Sequence, residues 1–546
     1  MGTQHVETER KYDGAALPPR LDAVPGVRAA QRAGPQDLDA VYYDTPDLRL
    51  LHRHITLRRR TGGDDAGWHL KLPHAEDARQ EVRLPVETGG PHDVPAELSQ
   101  LVAAFTRGAA LSPVARLRTH RSRLLLRDDR GSTLAQVTED RVAAQVLDAD
   151  RSADVRSGDG DGDGDRHRDG NRHRDRDRDG AGPPGGTVAE ARGWTEFEVE
   201  LEHGTPALLD HIEAVFTDVG LVRSPWPSKL SRALDEPPAA TTGPAAAQAP
   251  GSAGALVMDG FRQQVEALLT LDAAVRQGRE DSVHRMRVTA RRLRSLLKAH
   301  KRLFERDRAE HLATELRRLG RLLGRARDQE VLGELLVDQL DAVPAQLRGA
   351  DLRGRLTERY ARGYREAWQQ AVAELDSPRY LTLLEELDAF AADPPLRRRA
   401  GRKARRYLAG TLRHEQRRTL ERLDLALHTE PGPHRDEALH RARKAAKRAR
   451  YTADHAQSHI PRRTTKRVAE FGARMRKLHK VLGTHQDSVV ARQELIALAS
   501  EGTGATWHAF GYGLLHERHR HIAEAEERRL PKLRRRAGRR KLTRLP

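Results

Sequence analysis

The chain contains no cysteine. That excludes disulfides, thiolate metal sites and cysteine nucleophiles. Aromatic residues are only 4% of the composition, which leaves few platforms on which nucleic-acid bases could stack. No apolar run approaches the roughly 18–20 residues that a membrane helix requires. The first residues are polar and acidic and do not have the form of a secretory signal, so the reading is a soluble cytoplasmic protein without membrane contact. Zinc-finger and RNA-recognition patterns are absent, which argues against specific nucleic-acid binding.

Charge is plentiful: 32% of the 546 residues are charged and the formal net charge is +18. It is unevenly spread. From Leu256 to Pro546 there are 64 Lys and Arg against 38 Asp and Glu, a net of +26, so the preceding part carries 33 against 41, a net of −8. A field of one sign over the second half implies a polyanionic partner. The length suits two or three domains.

In the first part, residues 6–12 read Val-Glu-Thr-Glu-Arg-Lys-Tyr. On a strand, Glu7, Glu9 and Lys11 share one face and Val6, Thr8, Arg10 and Tyr12 the other. Two readings are open. The row is either an exposed edge, or a site where oxygen ligands hold a hard divalent ion beside a phosphate. Further short strands are expected at 39–43, 54–60, 68–72, 79–84, 114–126 and 133–142, with a helix from about Pro95 to Arg107. Several carry charges in alternation: Arg58 and Arg60; Lys71; Arg79, Glu81 and Arg83; Asp140. On 114–126, Arg116 and Arg118 share one face and Arg121 and Arg123 the other, and a bulge between them would change which pair points inward.

Residues 148–186 are Asp, Gly, Arg, His and Asn with almost nothing apolar, and read as a disordered insert. Their Asp-Gly pairs lack the spacing of a calcium loop. A strand at 193–203 then sets Glu196, Glu198, Glu200 and Glu202 on one face, a helix follows at 206–220, and Ser228-Lys229 closes the domain. Trp68 and Trp194 fit core positions at strand starts. The Pro, Ala, Thr and Gly-rich stretch 235–256 reads as a linker.

Acid and base lining one channel make sense around a charged ligand, and a triphosphate bridging a metal fits: Arg and Lys neutralise its oxygens while carboxylates hold the ion. Here Glu7-Thr8-Glu9-Arg10-Lys11 resembles the Glu-x-Glu-x-Lys signature of the CYTH superfamily, the triphosphate tunnel proteins. Tyr42-Tyr43-Asp44-Thr45, Leu57 to Arg60, Trp68 to Lys71, Arg79-Gln80-Glu81, Phe197 to Leu201 and Ser228-Lys229 follow in the family's order. The resemblance covers about residues 4–234 and implies an eight-stranded antiparallel tunnel. It implies a metal set of Glu7, Glu9, Asp140, Glu198 and Glu200 for Mg2+ or Mn2+. Phosphates would be bound by Lys11, Arg58, Arg60, Lys71 and Lys229, with Arg118, Arg121 and Arg123 contending for a further arginine. Glu7, Glu9, Lys11, Arg58, Arg60, Lys71 and Glu81 would form the catalytic set.

The second half turns to long helices. His284, Arg287, Arg291, Arg294 and Lys298 step by 3, 4, 3 and 4, one helix face, beside an apolar stripe of Met286, Ala290, Leu293 and Leu297. Stacked like charges repel, and a bound polyanion relieves that. The unit recurs at His440, Arg443, Lys447 and Arg450, offset by 156, while Leu323-Gly324-Arg325-Ala326-Arg327-Asp328 recurs as Leu482 to Asp487, offset by 159. Asp328 and Asp487 suit orienting basic neighbours. This duplicated unit resembles the CHAD domain over about 257–540, with repeats at about 257–390 and 400–530. The resemblance implies inorganic polyphosphate as ligand, contacted by His284, Arg287, Arg291, Arg294, Lys298, Arg321, His440, Arg443, Lys447, Arg450 and Lys480.

The expected architecture is α+β: an antiparallel tunnel in residues 1–234, the linker 235–256, and an all-α domain of two pseudo-symmetric bundles. The expected function is metal-dependent hydrolysis of inorganic triphosphate or a related phosphate chain, joined to polyphosphate binding, in the cytoplasm and at polyphosphate granules. A non-catalytic polyphosphate scaffold and a nucleotide cyclase are the alternatives. Turnover of inorganic triphosphate, polyphosphate, ATP and thiamine triphosphate separates them.

Overall fold

The computed structural model describes residues 3–17, 20–75, 77–90, 93–147, 192–236, 248–344, 352–457, 462–501 and 506–543. The expected insert 148–186 lies outside the described residues, as do 237–247 of the linker. Two compact units form, Met1–Gly243 and Pro244–Pro546.

In the first unit, eight antiparallel strands close into a barrel. They are β1 (Thr3–Asp13), β2 (Ala29–Asp44), β3 (Thr56–Thr61), β4 (Gly67–Ala75), β5 (Ala78–Leu84), β6 (Ser112–Arg127), β7 (Thr133–Val146) and β8 (Arg192–Leu201). Their order round the barrel is β1-β5-β4-β3-β2-β6-β7-β8 and back to β1; a two-residue β9 (Val222–Arg223) pairs with the end of β1. Helices α1 (Ala96–Thr106), α2 (Pro206–Asp218) and α3 (Lys229–Ala233) accompany it.

The barrel reverses the usual sense of inside and outside. Along β1 and β8 the outward residues Tyr12, Phe197 and Val199 are apolar, and Leu208, Leu209, Ile212 and Phe216 of α2 cover them. The alternate residues, which are charged, turn inward. Toward one end the inward face becomes apolar, and Leu230 and Ala233 of α3 pack there on Ala40, Ala115, Leu117, Val142 and Ala144. Strand β2 begins ten residues before the expected position 39. Gly34-Pro35 falls at a register irregularity between Ala33 and Gln36, and pairing with β6 carries the strand through it.

The second unit holds nine α-helices among the described residues: α4 (Ala253–Arg276), α5 (Ser282–Ala299), α6 (Arg306–Gln339), α7 (Leu352–Leu375), α8 (Pro378–Ala392), α9 (Ala404–His428), α10 (Pro433–Gln457), α11 (Arg462–Glu501) and α12 (Thr506–Ala537). Successive helices pack together from α4 to α7 and again from α9 to α12, and α5 meets α10. The second set has its own core, in which Leu423, Leu439, Leu478, Leu482 and Leu530 meet. Leu336, Leu356 and Tyr360 of the first set pack on Ala491, Leu495 and Leu515 of the second. No described helix is long and apolar enough to cross a membrane.

Candidate functional site

Inside the barrel, Glu7, Glu9, Lys11, Arg58, Arg60, Lys71, Glu81, Arg121, Glu198, Glu200 and Lys229 line one cavity. Tyr42, Thr56, Asp65, Arg79, Arg83 and Ser228 line it too. Carboxylates gather on the adjacent strands β1 and β8. The Arg58 and Arg60 pair stands across the lumen on β3.

The ladder explains the convergence. Glu9 is the cross-strand partner of Glu200, and Lys11 that of Glu198. Lys71 on β4 opposes Glu81 on β5. The side chains then pair along the lumen wall: Lys11 with Glu198, Lys71 with Glu7, Arg60 with Asp65. Lys229, at the first turn of α3, donates to Glu198 (2.7 Å) and lies 2.8 Å from Glu196 and 2.9 Å from Asp140. A capping box between Ser228 and Ser231 fixes that turn. Glu81, fully buried, meets His69 Nδ1 (2.9 Å), while His69 Nε2 is 2.9 Å from the Asp65 carbonyl.

The fields differ sharply over a few residues. Burial pushes the Glu9 carboxyl up, but Lys11 and Lys71 outweigh it and hold Glu9 at about 2. Burial, reinforced by Glu7, drives Glu200 up to about 7 despite Lys71. Burial opposes ionisation of Glu198, yet Lys11, Lys229 and Arg121 hold its carboxyl well below the usual range. Burial keeps His69 neutral, at about 3.

Of the three contending arginines, Arg121 lines the lumen. Its Nε donates to Asp140 Oδ1 (2.8 Å) and its Nη2 to Asp140 Oδ2 (2.6 Å) and Glu198 (3.1 Å). Arg118 is instead on the outer face, 70% exposed and 3.5 Å from Asp39. Arg123 shares Arg121's face but turns to Asp64 (2.9 Å) and the Gly34 carbonyl (3.4 Å). Asp140 is likewise off the lumen lining, with both oxygens engaged by Arg121 and Lys229. The site list read from sequence omitted Glu196, Arg79, Arg83, Tyr42, Asp65 and His69. Alternation places Glu196 on the face of Glu198 and Glu200, and Arg79 and Arg83 on that of Glu81, without assigning them a role in the site. Asp65 sits between β3 and β4, where no period speaks.

Four inward carboxylates, Glu7, Glu9, Glu198 and Glu200, form an all-oxygen donor set of the kind hard divalent ions take. The opposition of Glu9 to Glu200 and the raised pKa of Glu200 mark a place where a cation relieves repulsion, so the residues fit Mg2+ or Mn2+.

In the helical unit, Arg287 and Arg291 of α5 converge with Arg443, Lys447 and Arg450 of α10. The four arginines act together on Lys447, and Arg291, Arg443, Arg450 and Lys447 act on the neighbouring His479 of α11. Arg291 donates to the Tyr451 hydroxyl (3.0 Å), and Arg450 stacks 5.0 Å over that ring. Arg294 has Arg317 and the exposed Arg321 of α6 as its charged neighbours, and the exposed Lys298 continues toward them. Burial lowers His284 and His440, leaving each neutral, and their Nδ1 atoms have no partner among the described residues. Asp328 reaches Arg287 at 3.3 Å. Lys480 is exposed on α11.

Residues 6–232 match the CYTH domain family and residues 259–496 the CHAD domain family. Two uncharacterized proteins of Mycobacterium tuberculosis, from strains CDC 1551 and H37Rv, are each 35% identical over 525 residues, covering 95% of this chain and 94% of theirs. Among solved structures, PptA from Streptomyces chartreusis is similar at 18% identity and TM-score 0.43, over 52% of this chain and 99% of that one. The CHAD domain from the plant Ricinus communis is similar at 22% identity and TM-score 0.42, over 54% and 95%.

Proposed function

The chain belongs to the two-domain CYTH–CHAD family, and from that premise we propose that its barrel is a metal-dependent triphosphatase and its helical unit a polyphosphate-binding module. The observation that carries the first part is the polarised lumen, with carboxylates on β1 and β8 facing guanidiniums on β3. The lining counts eight cations (Lys11, Arg58, Arg60, Lys71, Arg79, Arg83, Arg121, Lys229) and six carboxylates (Glu7, Glu9, Asp65, Glu81, Glu198, Glu200).

In this reading Glu7, Glu9, Glu198 and Glu200 hold Mg2+ or Mn2+. Bound there, the ion supplies Lewis-acid polarisation of a phosphate oxygen and a more acidic water. Arg58, Arg60, Lys11, Lys71, Arg121 and Lys229 take the phosphate oxygens and the charge that develops on them. The phosphate chain replaces the internal pairs Lys11–Glu198 and Lys71–Glu7, so each cation keeps an anionic partner and each carboxylate gains the metal. Asp140 positions Arg121 and Lys229 instead of binding the ion. Glu81, fixed by His69, holds Lys71 and Arg83 in place.

The convergence of four arginines around Lys447, three of which also act on His479, with so little acid among them, supports a ligand that is a chain of phosphates. Phosphate release from inorganic triphosphate, long-chain polyphosphate, ATP and thiamine triphosphate, with Mg2+ or Mn2+, tests the enzyme. Release that survives Glu7→Gln combined with Glu9→Gln sinks it. Polyphosphate should displace duplex DNA from the protein while DNA displaces polyphosphate poorly, and the opposite order sinks the binding module.

A further inference from the structure

The helical unit holds a second concavity that shares one wall with the basic face. A cavity of about 200 Å3 lies between α4, α5 and α10, with Gln264, Arg292, His300, Tyr451, Asp454 and His455 in its lining. It has room for roughly six or seven waters, taking about 30 Å3 for each.

Its chemistry differs from that of the basic face. His300 is completely buried, and its Nδ1 is hydrogen-bonded to the Tyr407 hydroxyl at 3.0 Å. Burial lowers His300 to about 3, so the ring is neutral. Its Nε2 has no hydrogen-bond partner among the described residues, and the residue is part of the cavity lining. The Gln264 Oε1 is likewise buried without one. Buried polar atoms are nearly always satisfied, so two unpartnered atoms in one cavity point to something that satisfies both. The rings of His300 and His455, 6.3 Å apart, and that of Tyr451 give the walls a flat aromatic character.

A phosphate suits this interior poorly. His300 and Gln264 are neutral, and the one carboxylate in the lining, Asp454, already engages Arg450 and Arg476 at 3.2 Å each. Cations stand at the rim and on the far side of the shared wall. Arg292 lies 5.9 Å over the Tyr451 ring, Arg291 donates to its hydroxyl, and Arg450 stacks on it while pairing with Asp454 at 3.2 Å. A ligand with a planar, neutral, hydrogen-bonding head and an anionic tail matches both halves.

We propose that this cavity binds a nucleotide, with the base enclosed against His300, Gln264 and Tyr451 and the phosphate directed to the arginines around Tyr451. The base edge exchanges hydrogen bonds with His300 Nε2 and Gln264 Oε1. Asp454 accepts from a ribose hydroxyl or an exocyclic amine. The site uses none of the tunnel residues and stands independently of the triphosphatase reading.

Calorimetric titration of the full-length protein with AMP, adenosine and inorganic pyrophosphate tests it. One AMP per chain is expected, with adenosine roughly tenfold weaker for want of the charge-assisted bonds, and with adenosine binding that saturating pyrophosphate leaves in place. Gln264→Leu and the cavity-filling Ser295→Trp should each weaken AMP at least tenfold. No saturable binding of AMP or adenosine at millimolar concentration overturns the proposal. So does AMP binding that pyrophosphate abolishes while adenosine stays inert, since that is phosphate on the basic face alone. Photolabelling of the wild-type chain with an azido-adenosine serves if a variant fails to fold. Label on the peptides bearing Gln264 or His300 supports the site, and label confined to other peptides overturns it.

Discussion

Glu9 and Glu200 lie directly opposite one another across the β1–β8 ladder, both inward. Like charges facing each other on neighbouring strands destabilise a sheet. Here the strain is unequally shared: the lysines hold Glu9 at about 2 while burial and Glu7 raise Glu200 to about 7. A carboxyl whose pKa rises on folding binds its proton more tightly in the native state, so its contribution is complete below its unfolded value of 4.5 and is lost as pH rises through 7. Between those pH values, with chelator present, the wild-type unfolding midpoint should lose ground relative to Glu200→Gln. Added Mg2+ should restore the wild type and not the variant. Parallel midpoint-versus-pH curves for the two proteins would refute this.

Asp140 has both oxygens committed to Arg121 and Lys229 and is fully buried. Asp140→Asn leaves two buried cations short of a partner, a change that costs roughly 3–5 kcal/mol when nothing compensates. Glu196 and Glu198 still flank Lys229, so the lower end of that range is expected in denaturant titration. The affinity for Mn2+ should change far less than in Glu9→Gln. Equal losses of metal binding in both would return Asp140 to the ion.

What was legible came from alternation. Glu198 and Glu200 announce a charged inner face because the apolar Val199 stands between them, and Glu7, Glu9 and Lys11 do so by their alternation with Thr8, Arg10 and the buried Tyr12. Arg118 against Arg121 was harder, because the phase of a sixteen-residue strand is fixed by its pairing. The clue was present in Ala115 and Leu117, which share Arg121's face and are buried against α3. Strand β2 before residue 39 was hidden by Gly34-Pro35, whose local preference the partner β6 overrides. The repeat was visible by its offsets, and two pseudo-symmetric bundles imply that its basic faces come together, but the place of Tyr451 between them was not visible. That contact depends on how α5 and α10 pack, and only the second copy has the tyrosine, since Ser295 holds the equivalent place in the first.

Gly324 on α6 and Gly483 on α11 are equivalents, yet their surroundings differ. A Cβ on Gly324 would meet the Arg287 guanidinium at 3.3 Å, whereas on Gly483 it would lie 3.8 Å from Arg443 Nε. Alanine inside a helix gains up to about 1 kcal/mol over glycine. Gly483→Ala should therefore raise the unfolding midpoint and leave polyphosphate affinity unchanged. Gly324→Ala should shift Arg287 away from Asp328 and weaken polyphosphate by about three- to fivefold, the scale of one partly exposed ion contact. Equal affinities for the two variants would count against Arg287 as a contact.

Lys447 gives the binding face a signature in protons. Burial, together with Arg291, Arg443, Arg287 and Arg450, lowers it from 10.5 to about 6, so at pH 8 it is largely neutral. Asp487 of α11 is the carboxylate acting on the same group, and burial raises that carboxyl toward its own neutral form. A polyanion laid across the cations favours the charged ammonium and lifts the lysine back toward its ordinary value. Binding then takes up a proton wherever the pH lies above 6 and below the bound-state value. Affinity should fall by up to tenfold per pH unit across that window and level off below it. Calorimetry at pH 8 in two buffers of different ionisation enthalpy should count close to one proton taken up per site. Lys447→Met should remove that uptake while leaving Arg287, Arg291 and Arg443 to bind. The same variant should also flatten the rise in stability that the wild type shows as pH climbs from 6 toward 10.5, because the unfolded chain holds a proton there that the folded chain has released. Proton uptake that persists in Lys447→Met would move the titration to the histidines of the face.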